Sequence, residues 1–94
     1  MDDAELVWDL EDDPDGNVWH IGENDLTVEE VEDVILDPHK KDDISRSSGR
    51  PIIFGWTSTG RHIAVIWEVI NEDPRMIQVR TAYEVEPRKK KGRP

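Results

Sequence analysis

The sequence predicts an α+β fold in which two N-terminal helices pack on one face of an antiparallel meander sheet of three to four strands. Apolar residues recur at helical spacing in residues 27–36, and the period changes to two from Arg50 onward. Short turn-forming segments separate the alternating runs. Because 94 residues lie near the lower end of the domain size range, we expect one domain, over residues 1–86.

The first helix is predicted from Asp13-Pro14, with Asp13 as the cap and Pro14 at the first helical position. Gly22 is expected to end it, because glycine readily adopts the left-handed conformation that terminates helices. Before this helix, residues 5–9 (ELVWD) have the composition of a short strand or an extended lead-in.

The second helix has a stronger signal. Thr27 to Glu30 has the pattern of a capping box, in which the Thr hydroxyl and the Glu carboxylate each bond a free backbone amide. An apolar stripe at helical spacing follows: Val28, Val31, Val34 and Ile35. Asp37-Pro38 is expected to end the helix, and residues 39–49 have loop composition.

Three strands are predicted, at residues 50–57, 61–70 and 75–83, joined by turns at 58–60 and 71–74. Alternation assigns a core face to Ile52, Phe54, Trp56, Ile63, Val65, Trp67, Val69, Ile77, Val79 and Tyr83. It assigns the opposite face to a mixed set that includes His62, Glu68 and Arg80. Residues 87–94 have the composition of a basic, flexible tail.

The net charge of −10 is distributed unevenly. Residues 1–45 carry 17 acids and two bases, whereas residues 46–94 carry five acids and ten bases. The first part would repel phosphate and the second could attract it. The chain has no cysteine, which excludes disulfides and thiolate metal sites, and it has no apolar run of ~18 residues. These features predict a cytoplasmic protein without a membrane partner, and the histidine spacing predicts no metal site or other cofactor.

A succession of motifs spans roughly residues 6–86: Trp8-Asp9, Asn17, Trp19-His20-Ile21-Gly22, the helix through Asp37-Pro38, Gly55 to Arg61, and Ile77 to Ala82. In order and spacing this succession resembles the BrnT-type toxins of type II toxin–antitoxin systems. The resemblance implies a RelE-like fold, metal-independent cleavage of mRNA, and a ribbon-helix-helix antitoxin of the BrnA type as partner.

The chain departs from the family pattern where positive charge is expected. A strand arginine near Ile70 is missing, Thr81 follows Arg80 where the family has a base, and Trp19 replaces the lysine before His20. These departures keep a second function open, that of a non-catalytic BrnT-like module that binds a protein partner.

Cleavage by the RNA's own 2′-hydroxyl needs a base, a cation that stabilises the phosphorane, and an acid for the leaving oxygen. Arg80 is the candidate cation, Glu68 the candidate base, and His62 or His20 could transfer protons. Arg61 and Arg50 are further candidates for RNA binding, with Arg80. The structural alternative is that Arg80 and Glu68 form an ordinary cross-strand ion pair.

Overall fold

The computed structural model describes residues 5–46 and 49–86 and shows an α+β fold with two helices and one five-stranded mixed sheet. The elements are β1 (Glu5–Val7), α1 (Asn17–Glu23), α2 (Val28–Leu36), β2 (Lys41–Ile44), β3 (Pro51–Trp56), β4 (His62–Glu72) and β5 (Arg75–Glu84). The predicted class is confirmed. The predicted basic tail, residues 87–94, lies outside the described residues.

The predicted antiparallel meander is present as β3-β4-β5. The sheet as a whole has five strands in the order β1-β5-β4-β3-β2 and is mixed, so the predicted count of three to four and an entirely antiparallel sheet are wrong. β1 pairs parallel to β5, with Leu6 opposite Ile77. β2 forms within the segment predicted as a loop and pairs antiparallel to β3. β1 lies within residues 5–9, which were expected to form a short strand or an extended lead-in. β1 and β2 are the two edge strands, where short, charged sequences such as that of β2 are common.

Helix α1 begins at Asn17, with Gly16 as its N-cap, and not at Asp13-Pro14 as predicted. The Asp13 side chain instead accepts a hydrogen bond from the Asp15 amide at 3.0 Å, which is the geometry of an Asx turn. The helix also continues past Gly22 to Glu23. Asp-Pro can begin a turn as well as a helix, and here it begins a turn.

Helix α2 confirms its predicted signals. Thr27 is the N-cap, and both hydrogen bonds of the capping box with Glu30 are present. The helix ends at Leu36, directly before Asp37-Pro38. Its apolar stripe buries Val31, Val34 and Ile35 against the sheet.

The core lies between the helices and one face of the sheet, and predicted core residues on β4 and β5 are confirmed there: Ile63, Val65, Trp67, Ile77 and Val79. The predicted parity of β3 is wrong. Ile53 and Gly55 pair with Val65 and Ile63 on the helical side. A Cβ on Gly55 would lie 2.9 Å from Cγ1 of Val34, so only glycine lets α2 pack this closely. Ile52, Phe54 and Trp56 consequently lie on the other face, and Trp56 is 49% exposed.

A β-bulge at Arg80 explains the misassigned Tyr83. Ile66 pairs with Thr81 and Trp67 pairs with Val79, so Arg80 is an extra residue in β5. The extra residue reverses the alternation that follows it. Ala82 is therefore fully buried, and Tyr83, predicted in the core, is exposed.

We call the side of the sheet away from the helices the open face. On the central strands it carries Ile52, Phe54 and Trp56 of β3, and His62, Ala64, Ile66 and Glu68 of β4.

Candidate functional site

Three charged side chains meet on the open face, and we call them the charged triad: Arg50, Glu68 and Arg80. Nε of Arg50 lies 3.4 Å from one carboxylate oxygen of Glu68, and Nη1 of Arg80 lies 3.3 Å from the other. The Glu68 side chain is 34% exposed, so a ligand at the surface can reach the carboxylate. The structure thus brings together three of the predicted site residues.

The strand register positions the triad. Glu68 of β4 lies opposite Gln78 of β5. The bulged Arg80 donates through Nη1 to Oε1 of Gln78 at 3.1 Å and to Oε2 of Glu68. Gln78 in turn donates to Asp9 at 3.4 Å. Gln78 was not among the candidate residues from sequence, although it lies two positions before Arg80 and therefore has the same strand parity.

The triad has groups that proton transfer and phosphate binding require. The carboxylate of Glu68 can act as a base that accepts a proton. The guanidiniums of Arg50 and Arg80, one beside each of its oxygens, are groups that bind phosphate. A guanidinium has five N–H donors, and Arg80 makes both of its contacts through Nη1. Arg80 can therefore hold Glu68 and bind a phosphate oxygen at the same time.

His62 lies on the same face but at the far end of β4. Six residues separate it from Glu68, which is about 20 Å along a strand at ~3.3 Å per residue. Its ring packs instead against Trp56, with centroids 4.8 Å apart, and near Phe54 at 6.5 Å. The structure does not bring His62 together with the charged triad.

His20 lies on α1, in the layer on the other side of the sheet from the triad. Its side chain is exposed, and Nδ1 lies 3.8 Å from a carboxylate oxygen of Glu23. Of the two histidines predicted to transfer protons, neither is at the triad.

Arg61 joins the β3–β4 turn to the helical layer. It donates to the carbonyl oxygen of Asp25 at 2.6 Å and to Glu84 at 3.1 Å, and it lies 3.4 Å from Glu30. The hydrogen bond to Glu84 raises the pKa of Arg61; it outweighs desolvation, and attraction to the surrounding acids adds to it. Its guanidinium, proposed from sequence to bind RNA, is occupied by internal contacts.

The same turn is anchored on two acids of α2. Ser58 donates its amide and its hydroxyl to Asp33, at 3.1 and 2.7 Å, and these bonds lower the pKa of Asp33. Thr59 donates to Glu30 at 2.8 Å. Desolvation acts to raise the pKa of Glu30, but the bonds from Thr59 and Thr27 and the charge of Arg61 outweigh it, so this pKa is lowered. Ser58 and Thr59 belong to the Gly55 to Arg61 motif on which the resemblance partly rests. In this structure the motif holds the β3–β4 turn against α2.

A second feature of the open face is a cleft of about 630 Å³ next to His62. Phe54, Trp56 and His62 line it together with Lys41, and the acids Asp42, Asp43 and Glu86 also lie along it. The sequence prediction had placed Phe54 and Trp56 in the core. Three consecutive apolar residues, 52–54, gave the alternation no clear phase.

Neither helix of the described chain is long and apolar enough to cross a membrane. Within residues 5–46 and 49–86, no group of three or more His, Asp or Glu side chains is placed to hold a metal ion. Comparisons with protein-family models, with curated proteins and with solved structures find no match to this chain. The resemblance to BrnT-type toxins therefore stays a prediction.

Proposed function

We propose that this protein is a metal-independent endoribonuclease, the toxin component of a type II toxin–antitoxin system with a RelE-like fold. Its partner would be a ribbon-helix-helix antitoxin of the BrnA type. The observation that carries the chemistry is the carboxylate of Glu68, held between Arg50 and Arg80 on a partly exposed surface. The succession of motifs along the chain supports the family.

In the proposed reaction, Glu68 removes the proton from a ribose 2′-hydroxyl, and the 2′-oxygen attacks the adjacent phosphorus. The bond from phosphorus to the 5′-oxygen breaks, which leaves a 2′,3′-cyclic phosphate and a 5′-hydroxyl. Arg80 and Arg50 stabilise the added negative charge of the phosphorane. Since the histidines lie away from the triad, water supplies the proton that the leaving 5′-oxygen takes up.

The acidic net charge does not exclude an RNA site on the open face. Glu30 and Asp33 belong to α2, which packs on the opposite face of the sheet, and they bind the β3–β4 turn. Two arginines flank the single carboxylate of the triad. Beyond the triad, Gln78 links Arg80 to the carboxylate of Asp9, so a phosphate that binds here would be held by direct contacts with the two guanidiniums and not by a net positive field.

The second candidate is the non-catalytic protein-binding module. The contact of Glu68 with Arg80 favours it, because a cross-strand ion pair of 3.3 Å at a surface needs no catalytic purpose. The two candidates differ in whether the triad acts on RNA.

The test is cleavage of single-stranded RNA by the purified full chain in the presence of a chelator. We expect cleavage by the wild type, and a loss of ~10²-fold or more in rate for Glu68→Gln and for Arg80→Ala, by analogy with the removal of one oxyanion donor. Arg75→Ala is the matched control, because it removes an equal charge from an exposed residue on the same strand. All variants are first compared with the wild type by thermal unfolding.

Expression in bacteria gives a second readout. The wild type should slow growth and fragment mRNA, whereas Arg80→Ala should do neither at an equal protein level. If the folded wild type cuts no RNA and does not slow growth, the enzyme proposal fails and the binding module replaces it.

A further inference from the structure

A chain of hydrogen bonds joins the start of α1 to the charged triad through two side chains, and we call these two the Asp9–Gln78 link. The amide of Asn17 donates to Oδ2 of Asp9 at 2.9 Å, and Asn17 is 3% exposed. Gln78 donates through Nε2 to Oδ1 of Asp9 at 3.4 Å. Gln78 also accepts through Oε1 from Nη1 of Arg80 at 3.1 Å. Both carboxylate oxygens of Asp9 and both ends of the Gln78 amide are therefore engaged.

The chemistry of the two neighbours fixes the orientation of the Gln78 amide. An ionised carboxylate only accepts hydrogen bonds, a guanidinium only donates them, and a primary amide has one end of each kind. The nitrogen of Gln78 therefore faces Asp9, and its oxygen faces Arg80. The reversed amide would set oxygen against oxygen at Asp9 and N–H against N–H at Arg80, so both bonds would be lost together.

Arg80 has a long side chain at an open position, so its orientation depends on the bonds it makes. It is the extra residue of the bulge in β5, and its side chain is 43% exposed. Its contacts both run through Nη1, to Gln78 at 3.1 Å and to Glu68 at 3.3 Å. Two acceptors on one nitrogen restrain the guanidinium and leave its other N–H groups for a substrate.

We propose that Gln78 and Asp9 are positioning residues of the charged triad. Gln78 holds Nη1 of Arg80 beside Glu68 before RNA binds, and Asp9 acts through Gln78 by fixing its amide. A donor that is already oriented needs no rearrangement when negative charge develops on the phosphorane. This role in catalysis rests on the proposed function, whereas the restraint on Arg80 is a property of the free protein and can be measured without RNA.

The first measurement is nitrogen-15 relaxation of the arginine Nε–H groups in the full chain, which reports their motion on the ps–ns timescale. The Arg80 signal is identified by its absence from the spectrum of Arg80→Lys. We expect a higher order parameter for Arg80 than for Arg75, which is exposed on the same strand. Gln78→Met, which keeps a side chain of similar length without the amide, should lower the Arg80 value towards that of Arg75. Thr81→Val is the matched control, because it removes a polar group next to Arg80 in β5 that does not belong to the link, and it should leave the Arg80 value unchanged.

Asp9→Asn separates an effect passed through Gln78 from one of direct contact. The variant can still accept the Asn17 amide through its own amide oxygen, which turns its NH2 group towards Gln78. The Gln78 amide must then reverse, and its nitrogen faces Arg80. The order parameter of Arg80 should therefore fall, although the side-chain bond of Asp9 is with Gln78. Each variant is first compared with the wild type by thermal unfolding.

The second measurement is the kinetics of RNA cleavage in the presence of a chelator. Gln78→Met should lower kcat about tenfold with KM nearly unchanged, which is less than the ~10²-fold loss expected for removal of Arg80 itself. Because Gln78 acts through Arg80, adding Gln78→Met to Arg80→Ala should change kcat less than about twofold. A residue that only stabilised the fold would not show this dependence on Arg80.

Two results would overturn the proposal. An Arg80 order parameter that is unchanged in both Gln78→Met and Asp9→Asn would show that the link does not restrain the guanidinium. A further loss of about tenfold in kcat on the Arg80→Ala background would show that Gln78 acts independently of Arg80. A wild type that cuts no RNA, with Arg80 loosened in both variants, would refute the proposed function and support the restraint on Arg80.

Discussion

Asn17 offers a sharp test of how the fold is held together. Its side chain is 3% exposed and donates to the carbonyl oxygens of Val7 and Val79, at 3.1 and 3.0 Å. It also accepts from the amide of Asp9 at 2.9 Å. One residue at the start of α1 thus bonds the end of β1 and the middle of β5.

Asn17→Ala should destabilise the protein by roughly 3 kcal/mol or more. The bond to Val79 is buried, and an unsatisfied buried partner costs ~1–3 kcal/mol, while the two part-buried bonds contribute about 1 kcal/mol each. A total unfolding free energy of about 5–14 kcal/mol is typical of a domain of this size, so the loss is large. It should lower Tm by roughly 12–24 °C.

Urea unfolding of wild type and variant measures the difference, provided that the m-value is unchanged. Asn24→Ala is the matched control, because Asn24 makes one part-buried side-chain bond, to the carbonyl of Ala82 at 2.8 Å. We expect a loss of about 1 kcal/mol there. If Asn17→Ala proves as mild as Asn24→Ala, the argument that Asn17 joins the two strands is refuted.

Two further predictions concern packing and pH. Gly55→Ala should lower the free energy of unfolding by roughly 1–3 kcal/mol, because the new Cβ would overpack against Val34. Gly22→Ala should raise it by roughly 0.5–1 kcal/mol, because the space at its Cβ is open and alanine favours the helix. Urea unfolding measures both changes. The lowered pKa values of Glu30 and Asp33 mean that their stabilisation is fully present above the ordinary values of 4.5 and 3.8 and is lost as pH falls through the lowered ones. In the double variant Glu30→Gln with Asp33→Asn, Tm should therefore fall less steeply than in the wild type as the pH is lowered below about 4.5. An equally steep fall would contradict the claim that these two carboxylates stabilise the fold.

Periodicity predicted those elements whose signal is local. The capping box and the apolar stripe of α2 both lie within the ten residues 27–36. The residues of β4 that face the core follow from the alternation within that strand. Asp13-Pro14 was ambiguous, because the same pair suits a turn and a helix start. The turn forms here because Asn17, four residues after Asp13, is fixed by Asp9 and the two strands.

The errors on the sheet come from tertiary contacts that alternation does not contain. The phase of β3 is decided by the close approach of α2 at Gly55. The bulge at Arg80 depends on how β5 pairs with β4, and no glycine in β5 indicates it. Both effects change which face a residue joins, and they explain why Trp56 and Tyr83 were expected in the core.

The candidate site was predicted in part for the same reason. Strand parity placed Glu68, Arg80 and His62 on one face, and the structure confirms that face for all three. Parity gives the face of a side chain but not its distance along the strand, so His62 was grouped with residues about 20 Å away. The cleft next to His62 was missed because Phe54 and Trp56, which line it, were assigned to the core.

The most direct test of the central claim is the chemistry of the ends left on a cut RNA. A short single-stranded RNA is incubated with the wild type and chelator, next to the same RNA with one 2′-deoxy nucleotide at the cleavage position. Attack by the 2′-hydroxyl, with Glu68 as base, predicts 2′,3′-cyclic phosphate and 5′-hydroxyl ends and no cut at the deoxy position. Cleavage of the deoxy substrate, or products with 5′-phosphate ends, would contradict the account.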